Sequence, residues 1–235
     1  MTVHRRSLLS GAAGARGVAV IIDVLRAFSC AALMFRYGIT ELVLVRSPEE
    51  ALGYRDRHPG SLAAGEVKGE KVKGFDLGNS PRDIVEKGQQ FFRGRTVALR
   101  SSAGTQGALE ASATANRIVL GSYMTAAATA RYIQRAGSPG AVATIVAMGF
   151  EGVETSVEDE RCGDYLEHLL TGSSYDHVAA LWECLNDASI AKSLNGEHSY
   201  RSREDIILAL QRDLFDFAMV GSLVNGHVRI MRVDA

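Results

Sequence analysis

From Gly17 onward, short apolar runs alternate with helix-like stretches, and this alternation restricts the chain to very few architectures. The runs VAVIID (18–23), ELVLV (41–45), SLAAG (61–65), TVALR (96–100), RIVLG (117–121) and ATIVAM (143–148) are too short for helices. Near-continuous apolarity over that length is what a strand buried on both faces requires. Between them the pattern predicts helices over 26–37, 48–57, 80–90, 105–115 and 125–136. Ser47-Pro48-Glu49-Glu50 opens one of these with a cap, a proline at the first helical position and acids in the first turn. Strands separated by helical crossovers predict an α/β fold, a mainly parallel sheet with helices on both faces. Residues 157–171, 175–194 and 203–214 read as helices and 227–233 as a last strand. The C-terminal part, 157–235, is therefore expected to be mostly helical and packed on the same core. Residues 1–16 are expected to form an N-terminal arm, and with no repeat or linker the whole of 1–235 reads as one domain.

Charge and cysteine usage exclude several partners. With 26 basic and 27 acidic residues, the net charge of −1 offers no field for a nucleic-acid backbone or an anionic membrane. No apolar stretch is long enough to span a bilayer. HRRSLLSGAAGA (4–15) resembles the start of a twin-arginine signal, but Arg16, Asp23 and Arg26 interrupt the apolar run that should follow. Cys30, Cys162 and Cys184 are odd in number and share no C-x-x-C spacing, so reduced thiols and a cytoplasmic location are expected. A homodimer is expected only because most soluble oligomers are twofold dimers.

In open parallel sheets ligands bind beyond the carboxyl ends of the strands, which directs attention to five segments. VIIDVLRA ends a strand on Asp23 and places Arg26 in the next helical turn, a carboxylate for a cation and a guanidinium for a phosphate. An Asp–Arg pair that merely caps a helix would read the same. GEVKGEKVKGFDLGNSP (65–81) is a long glycine-rich connection carrying Glu66 and Asp76, with Asn79 just before a capped helix. Connections of that length in compact domains are usually functional, and a surface hairpin is the plain alternative. SSAGT, Ser101 to Thr105, lies between strand and helix, where hydroxyls and free amides can cradle an anion, as can ordinary capping. Gly121-Ser122 is generic. GFEGVETSVEDERCGDY carries Glu151, Glu154, Glu158, Asp159, Glu160 and Asp164, either a solvated helix start or partly a cation site.

Other chemistries fit poorly. Cys30 and Arg36 have the spacing of cysteine phosphatases, but AALMF between them is an apolar helix face without an anion cradle. Asp23 lacks the second aspartate, two residues on, of haloacid-dehalogenase phosphatases. The chain has no Gly-x-Ser-x-Gly, no His-Glu-x-x-His and no Gly-x-Gly-x-x-Gly after a strand.

Together, IIDVLRA (21–27), GE…GFDLGNSP (65–81), SSAGTQG (101–107) and VEDERCGDY (157–165) resemble the 2-phosphosulfolactate phosphatase family, its bacterial branch in particular. The resemblance implies a magnesium-dependent acid phosphatase of unusual α/β topology. Its reaction would be 2-phosphosulfolactate to 3-sulfolactate plus phosphate, a step in coenzyme M biosynthesis. Two departures from the family pattern bear on the substrate. Val67 and Lys68 follow Glu66 where the family often has GERGG, and SSAGT stands in place of Thr-Thr-Asn-Gly-Thr.

On this basis Asp23, Glu66 and Asp159 are expected to hold Mg²⁺. Arg26, Asn79, Ser101, Ser102, Gly104 and Thr105 would clamp the phosphate, with Asp76 or Glu158 as base for an attacking water. A covalent aspartyl-phosphate on Asp23 is the competing route, and a buried structural thiol is the expectation for Cys162. Lys68, Lys71, Lys73 and Arg100 are the nearest cations for a second anionic group on a small phosphorylated acid. Two further functions stay open at the level of sequence: a phosphatase recruited to another phosphorylated metabolite, and a module that binds such a metabolite without hydrolysing it.

Overall fold

The structure is a computed structural model and describes residues 1–137 and 140–235. The first half runs β1 (Thr2–Ser7), α1 (Leu8–Ala13), β2 (Val18–Ile22), α2 (Ala27–Arg36), β3 (Glu41–Leu44), α3 (Pro48–Arg57), β4 (Leu62–Val67), β5 (Glu70–Lys71), α4 (Pro81–Phe92) and β6 (Thr96–Arg100). The second half runs α5 (Gly104–Ala111), β7 (Arg117–Gly121), α6 (Ala126–Ala136), β8 (Val142–Ala147), α7 (Val157–Thr171), α8 (His177–Asn186), α9 (Ala188–Leu194), α10 (Arg203–Ala209), β9 (Phe217–Val224) and β10 (His227–Asp234). The capping chemistry read from sequence is present: Ser47 and Ser80 accept from the third residue of α3 and α4, each with proline at the helix start.

The strands form one mainly parallel α/β sheet in the order β1-β8-β2-β7-β9-β10-β3-β6-β4-β5. Two blocks, β1-β8-β2-β7 and β3-β6-β4, are parallel internally. The β9–β10 hairpin sits between them, antiparallel to β7 on one side and to β3 on the other. Two antiparallel neighbours plus the hairpin itself reverse direction three times, so the two blocks point in opposite directions.

Sheet twist, about 20–25° per strand, coils so wide a sheet. One face of both blocks, including Ile21, Leu44, Leu99, Leu120 and Met219, joins a single core around Phe28, Met34 and Phe35 of α2. The opposite face is covered in two separate patches, one under α6 to α8 and one under α3. A sheet wrapped around α2 in this way brings the carboxyl ends of oppositely directed blocks together. The Gly104 amide beyond β6 accordingly donates to Asp23 Oδ2 beyond β2 at 2.9 Å.

Three expectations change. Residues 2–7 form an edge strand registered on β8 instead of an arm, with α1 packed behind it. The C-terminal part is not all helix after α7, because 217–224 is a second strand of the central hairpin. The stretch 175–194 is two helices, broken where the Asp187 side chain accepts from the amides of Ser189 and Ile190 and caps α9.

Candidate active site

The strand ends meet as carboxylates seated on backbone amides. Asp23 accepts from Ala27 N–H at 3.0 Å through Oδ1 and from Gly104 N–H through Oδ2. A side chain at Gly104 would put its Cβ 2.5 Å from Asp23 Oδ2, so glycine is what allows that seat. Glu66 accepts from Ser102 N–H at 2.5 Å and Gly69 N–H at 2.6 Å, with Ser102 Oγ adding a third bond at 3.1 Å. Asp159 accepts from Val24 N–H and Gly149 N–H, each at 2.8 Å, and so staples the end of β2 to the turn after β8.

These contacts revise the role of SSAGT. Its amides do form an anion cradle, but the anions they hold are Glu66 and Asp23. Ser101 and Thr105 are buried and satisfy each other: Thr105 Oγ1 takes the Ser101 amide, and Ser101 Oγ takes the Thr105 amide. They are not phosphate ligands here. Ser102 reaches the cavity wall, whereas Gly104 acts through Asp23.

A cavity of about 460 Å³ opens at this junction, lined by Asp23, Glu66, Asn79, Ser102 and Glu158 together with Lys68. Further wall comes from the connection between β8 and α7, with Glu151 and Glu154, from Asp187 and Ser189 at the start of α9, and from the connection between α9 and α10, through His198, Tyr200 and Arg201. Arg26 ties that connection down. Its buried guanidinium donates to the Tyr200 carbonyl, to Asp205 Oδ2 at 3.2 Å and to the Gly69 carbonyl at 2.9 Å. Arg26 thus lines the cavity chiefly as a cross-link, and most of its donors are already committed. Asn79 is buried with an Oδ1 that has no partner among the described residues, leaving an unmet hydrogen bond at the wall.

Asp76, expected as a candidate base, lies elsewhere. It accepts the Ala63 amide at 2.8 Å and pairs with Arg55 on the side of α3, so it is not placed to act as a base in the cavity. Cys162 is a buried thiol, as expected. Arg201, His198, Tyr200 and Asp205 were missed as site residues. The dense polar run HSYRSRED (198–205) was their only signal, and a polar interhelical connection carries no periodicity to say where it folds.

Burial dominates the electrostatics. Desolvation, together with the charge of Glu66, pushes the Asp23 carboxyl up to about 6 despite its two amide bonds. Burial raises Glu158 to about 7 against the opposing pull of its own amide and of Arg201, and raises Asp159 well above the carboxylate range. A fold that prefers the protonated acid gains stability below the unfolded values, 3.8 for aspartate and 4.5 for glutamate. That gain disappears as pH rises through about 6 and about 7. The metal-free chain is therefore expected to melt at progressively lower temperature from pH 5 to about pH 7.5. Thermal denaturation in EDTA checks this, and a melting point that climbs over that interval contradicts it.

The donor set bears on cation binding. Among the described residues, no three His, Cys, Asp or Glu side chains are grouped so as to hold a metal by themselves. The expected trio of Asp23, Glu66 and Asp159 is not assembled, because Asp159 does not line the cavity. Asp23 and Glu66 do line it, and each carboxylate oxygen retains lone-pair capacity beyond its N–H donors. Mg²⁺ is commonly held by one or two carboxylates with water and phosphate oxygens completing the shell, and this pair fits that arrangement.

Comparison with known proteins agrees with this architecture. The family model described as 2-phosphosulpholactate phosphatase matches residues 4–222. A probable 2-phosphosulfolactate phosphatase of Caldanaerobacter subterraneus is 34% identical over 223 residues, 89% of each chain. One of Bacillus subtilis is 29% identical over 201 residues, 85% of each. One of Deinococcus radiodurans is 43% identical over 115 residues, about half of each chain at 49% and 47%. Among the described residues no helix is long and apolar enough to cross a membrane. The chain belongs to the 2-phosphosulfolactate phosphatase family, a family of phosphoric monoester hydrolases.

Proposed function

We propose that the chain hydrolyses the phosphate monoester of a small 2-hydroxy acid, with 2-phosphosulfolactate the first substrate to test, and that it does so with Mg²⁺. The carrying observation is the cavity itself, where Asp23, Glu66 and Glu158 face Lys68 and Arg201 at the junction of two parallel blocks. Asp23 feels the charge of Glu66, and burying like charges together is costly without a cation. A bound Mg²⁺, held by Asp23 and Glu66, would neutralise the phosphoryl oxygens and lower the proton affinity of both acids.

The chain's own groups supply the remainder. Amide bonds to both oxygens fix the Asp23 carboxylate in one orientation, which removes the cost of reorganising it during reaction. Asn79, whose Oδ1 has no partner among the described residues, would accept from a bound water or a substrate hydroxyl. Glu158, raised to about 7 by burial against the opposing pull of Arg201, takes the proton of an attacking water and returns it to the leaving alkoxide. The three cysteines are free and buried, which supports a reducing, cytoplasmic setting.

The test is phosphate release from a panel of phosphorylated hydroxy acids with Mg²⁺ and after chelation. Turnover is expected only with the cation, and chelator-resistant turnover removes Mg²⁺ from the proposal. Glu158→Gln should lower kcat about 10²-fold or more. Since the base acts deprotonated, wild-type kcat/KM should rise with pH up to about 7 or below, and Glu158→Gln should lack that limb. A variant that keeps the limb assigns it to another group.

A further inference from the structure

We infer that Arg201 binds a second anionic group of the ligand, from the wall that the α9–α10 connection gives the cavity. This deepens the phosphatase reading and rests on it for the identity of the first group. Arg201 comes from the α9–α10 connection, whereas Asp23 and Glu66 come from the ends of β2 and β4. Its guanidinium is positioned before any ligand arrives. Nε donates to Ser193 Oγ at 2.6 Å, and Nη2 donates to Ser189 Oγ and the Ser189 carbonyl, each at 2.7 Å. Hydroxyl and carbonyl acceptors orient the fork, while the carboxylates of Glu158 and Asp187 act on its charge without a hydrogen bond to it. Nη1 has no partner among the described residues, and the residue lines the cavity.

Lys68 also lines the cavity, and its ammonium has no side-chain partner among the described residues, but it is a single point charge on a flexible stem without the tethered fork of Arg201. The remaining cations near the site are engaged. Arg26 is paired with Asp205, and Arg100 donates to the Glu66 carbonyl and Ser102 Oγ. Lys71, one of the lysines expected to serve a second anion, donates to the Asp76 carbonyl. The charge of Arg201 is felt at Glu158, whereas Asp23 answers to Glu66 and Arg26.

His198 supplies an independent observation. It lines the same cavity with a buried Nε2 that has no partner among the described residues. Burial and the charges of Arg201 and Lys192 hold its ring toward the neutral form, and with the other ring nitrogen turned to the Ser189 backbone its Nε2 is an acceptor for a ligand hydroxyl or a bound water beside the guanidinium. The ligand class is thus a phosphoryl compound bearing a carboxylate or sulfonate within the span of a cavity of about 460 Å³.

The test uses three probes in the presence of Mg²⁺, with binding read by calorimetry. Propylphosphonate carries the phosphoryl-like head alone, 3-phosphonopropanoate adds a carboxylate, and 2-phosphonoethanesulfonate adds a sulfonate. The wild type is expected to favour at least one of the doubly anionic probes by about 10- to 100-fold, the range for a hydrogen-bonded charge pair. Whichever is favoured more identifies the anion. Arg201→Gln should bring that probe level with propylphosphonate, the ratio of the two affinities within each protein being the readout. Arg201→Lys keeps the charge without the fork and should retain part of the preference, which a purely structural role for the tether does not produce.

A wild type without preference, or a preference undiminished in Arg201→Gln, overturns the inference. Phosphate release measured on the same preparations reads the phosphatase proposal separately. Preference without turnover keeps the second-anion site and removes the enzyme, and turnover with the preference intact in Arg201→Gln does the reverse.

Discussion

Asp23→Asn should lower kcat by about 10³-fold or more while leaving the protein folded. The two halves of this expectation have separate causes. Asparagine has one acceptor oxygen where aspartate has two, so its NH₂ must face either the Ala27 or the Gly104 amide. One buried N–H left without an acceptor costs about 1–3 kcal/mol. Against this, the wild-type carboxyl is raised from 3.8 to about 6, so holding it ionised at neutral pH costs about 3 kcal/mol that the amide does not incur. The opposing effects are of similar size, and the melting temperature should move little. Activity has no such compensation, since the amide carries no charge for a cation or for the phosphoryl transition state. Circular dichroism melting alongside phosphate release checks both parts. A variant near wild-type kcat removes Asp23 from the chemistry, and a variant that fails to fold shows the amide seats to outweigh the charge. The same substitution should flatten the pH dependence of stability in EDTA, because one of the acids behind it is gone.

Arg26→Met has the opposite character, a large loss of stability from a residue whose sequence context pointed to phosphate. Its ion pair with Asp205 is among the most buried in the molecule, with side chains 5% and 1% exposed. Removing one partner of a buried pair costs about 3–5 kcal/mol, because the remaining charge stays desolvated. For a chain of 235 residues that corresponds to a fall in Tm of about 6–20 °C. Asp205 would keep Ser80 Oγ at 2.7 Å, the Arg82 amide at 3.0 Å and the Ser202 amide at 3.0 Å, so it is not stripped of partners. The expected cost therefore lies toward the lower end. Activity should fall as well, through the α9–α10 connection: without Arg26 nothing comparable fastens the Tyr200 carbonyl to Gly69. Adding Asp205→Asn relieves the unpaired charge, and the double variant should regain part of the lost Tm. If the single variant melts as the wild type yet loses phosphate affinity, Arg26 is a phosphate ligand first and a cross-link second.

How much of this was legible beforehand varied with the kind of information required. The strands over 96–100 and 117–121 and the helices over 48–57 and 157–171 lie where apolar runs and capping residues put them. These signals are local, carried by residues within a turn or two of one another. The strand at 217–224 was passed over although Asn225-Gly226 separates it from an alternating partner, a strong hairpin signal masked by the helical reading of 203–214 just before it. Residues 2–7 alternate in exposure along an edge strand, and nothing in HRRS distinguishes that from an arm until β8 is present to pair with it.

The candidate site divides along the same line. Asp23, Glu66, Asn79, Ser102 and Glu158 were accessible because each follows a strand or opens a helix, and strand ends are where a sheet presents chemistry. Ser101, Thr105, Asp76 and Asp159 satisfied the same rule and were turned elsewhere by hydrogen bonds to partners that no spacing reveals. The sequence by itself determined the α/β alternation, the capped helix starts, the acids at the strand ends and the resemblance to the phosphatase family. Tertiary structure alone decided that a C-terminal hairpin reverses one half of the sheet against the other and that the coiled sheet brings both sets of strand ends to one cavity. It also decided that the α9–α10 connection closes that cavity with Arg201. The physical reason is range: propensity and capping act within a few residues, whereas Asp23 with Gly104, Arg26 with Asp205 and Val24 with Asp159 are separated by 81, 179 and 135 positions and meet only when the sheet is complete.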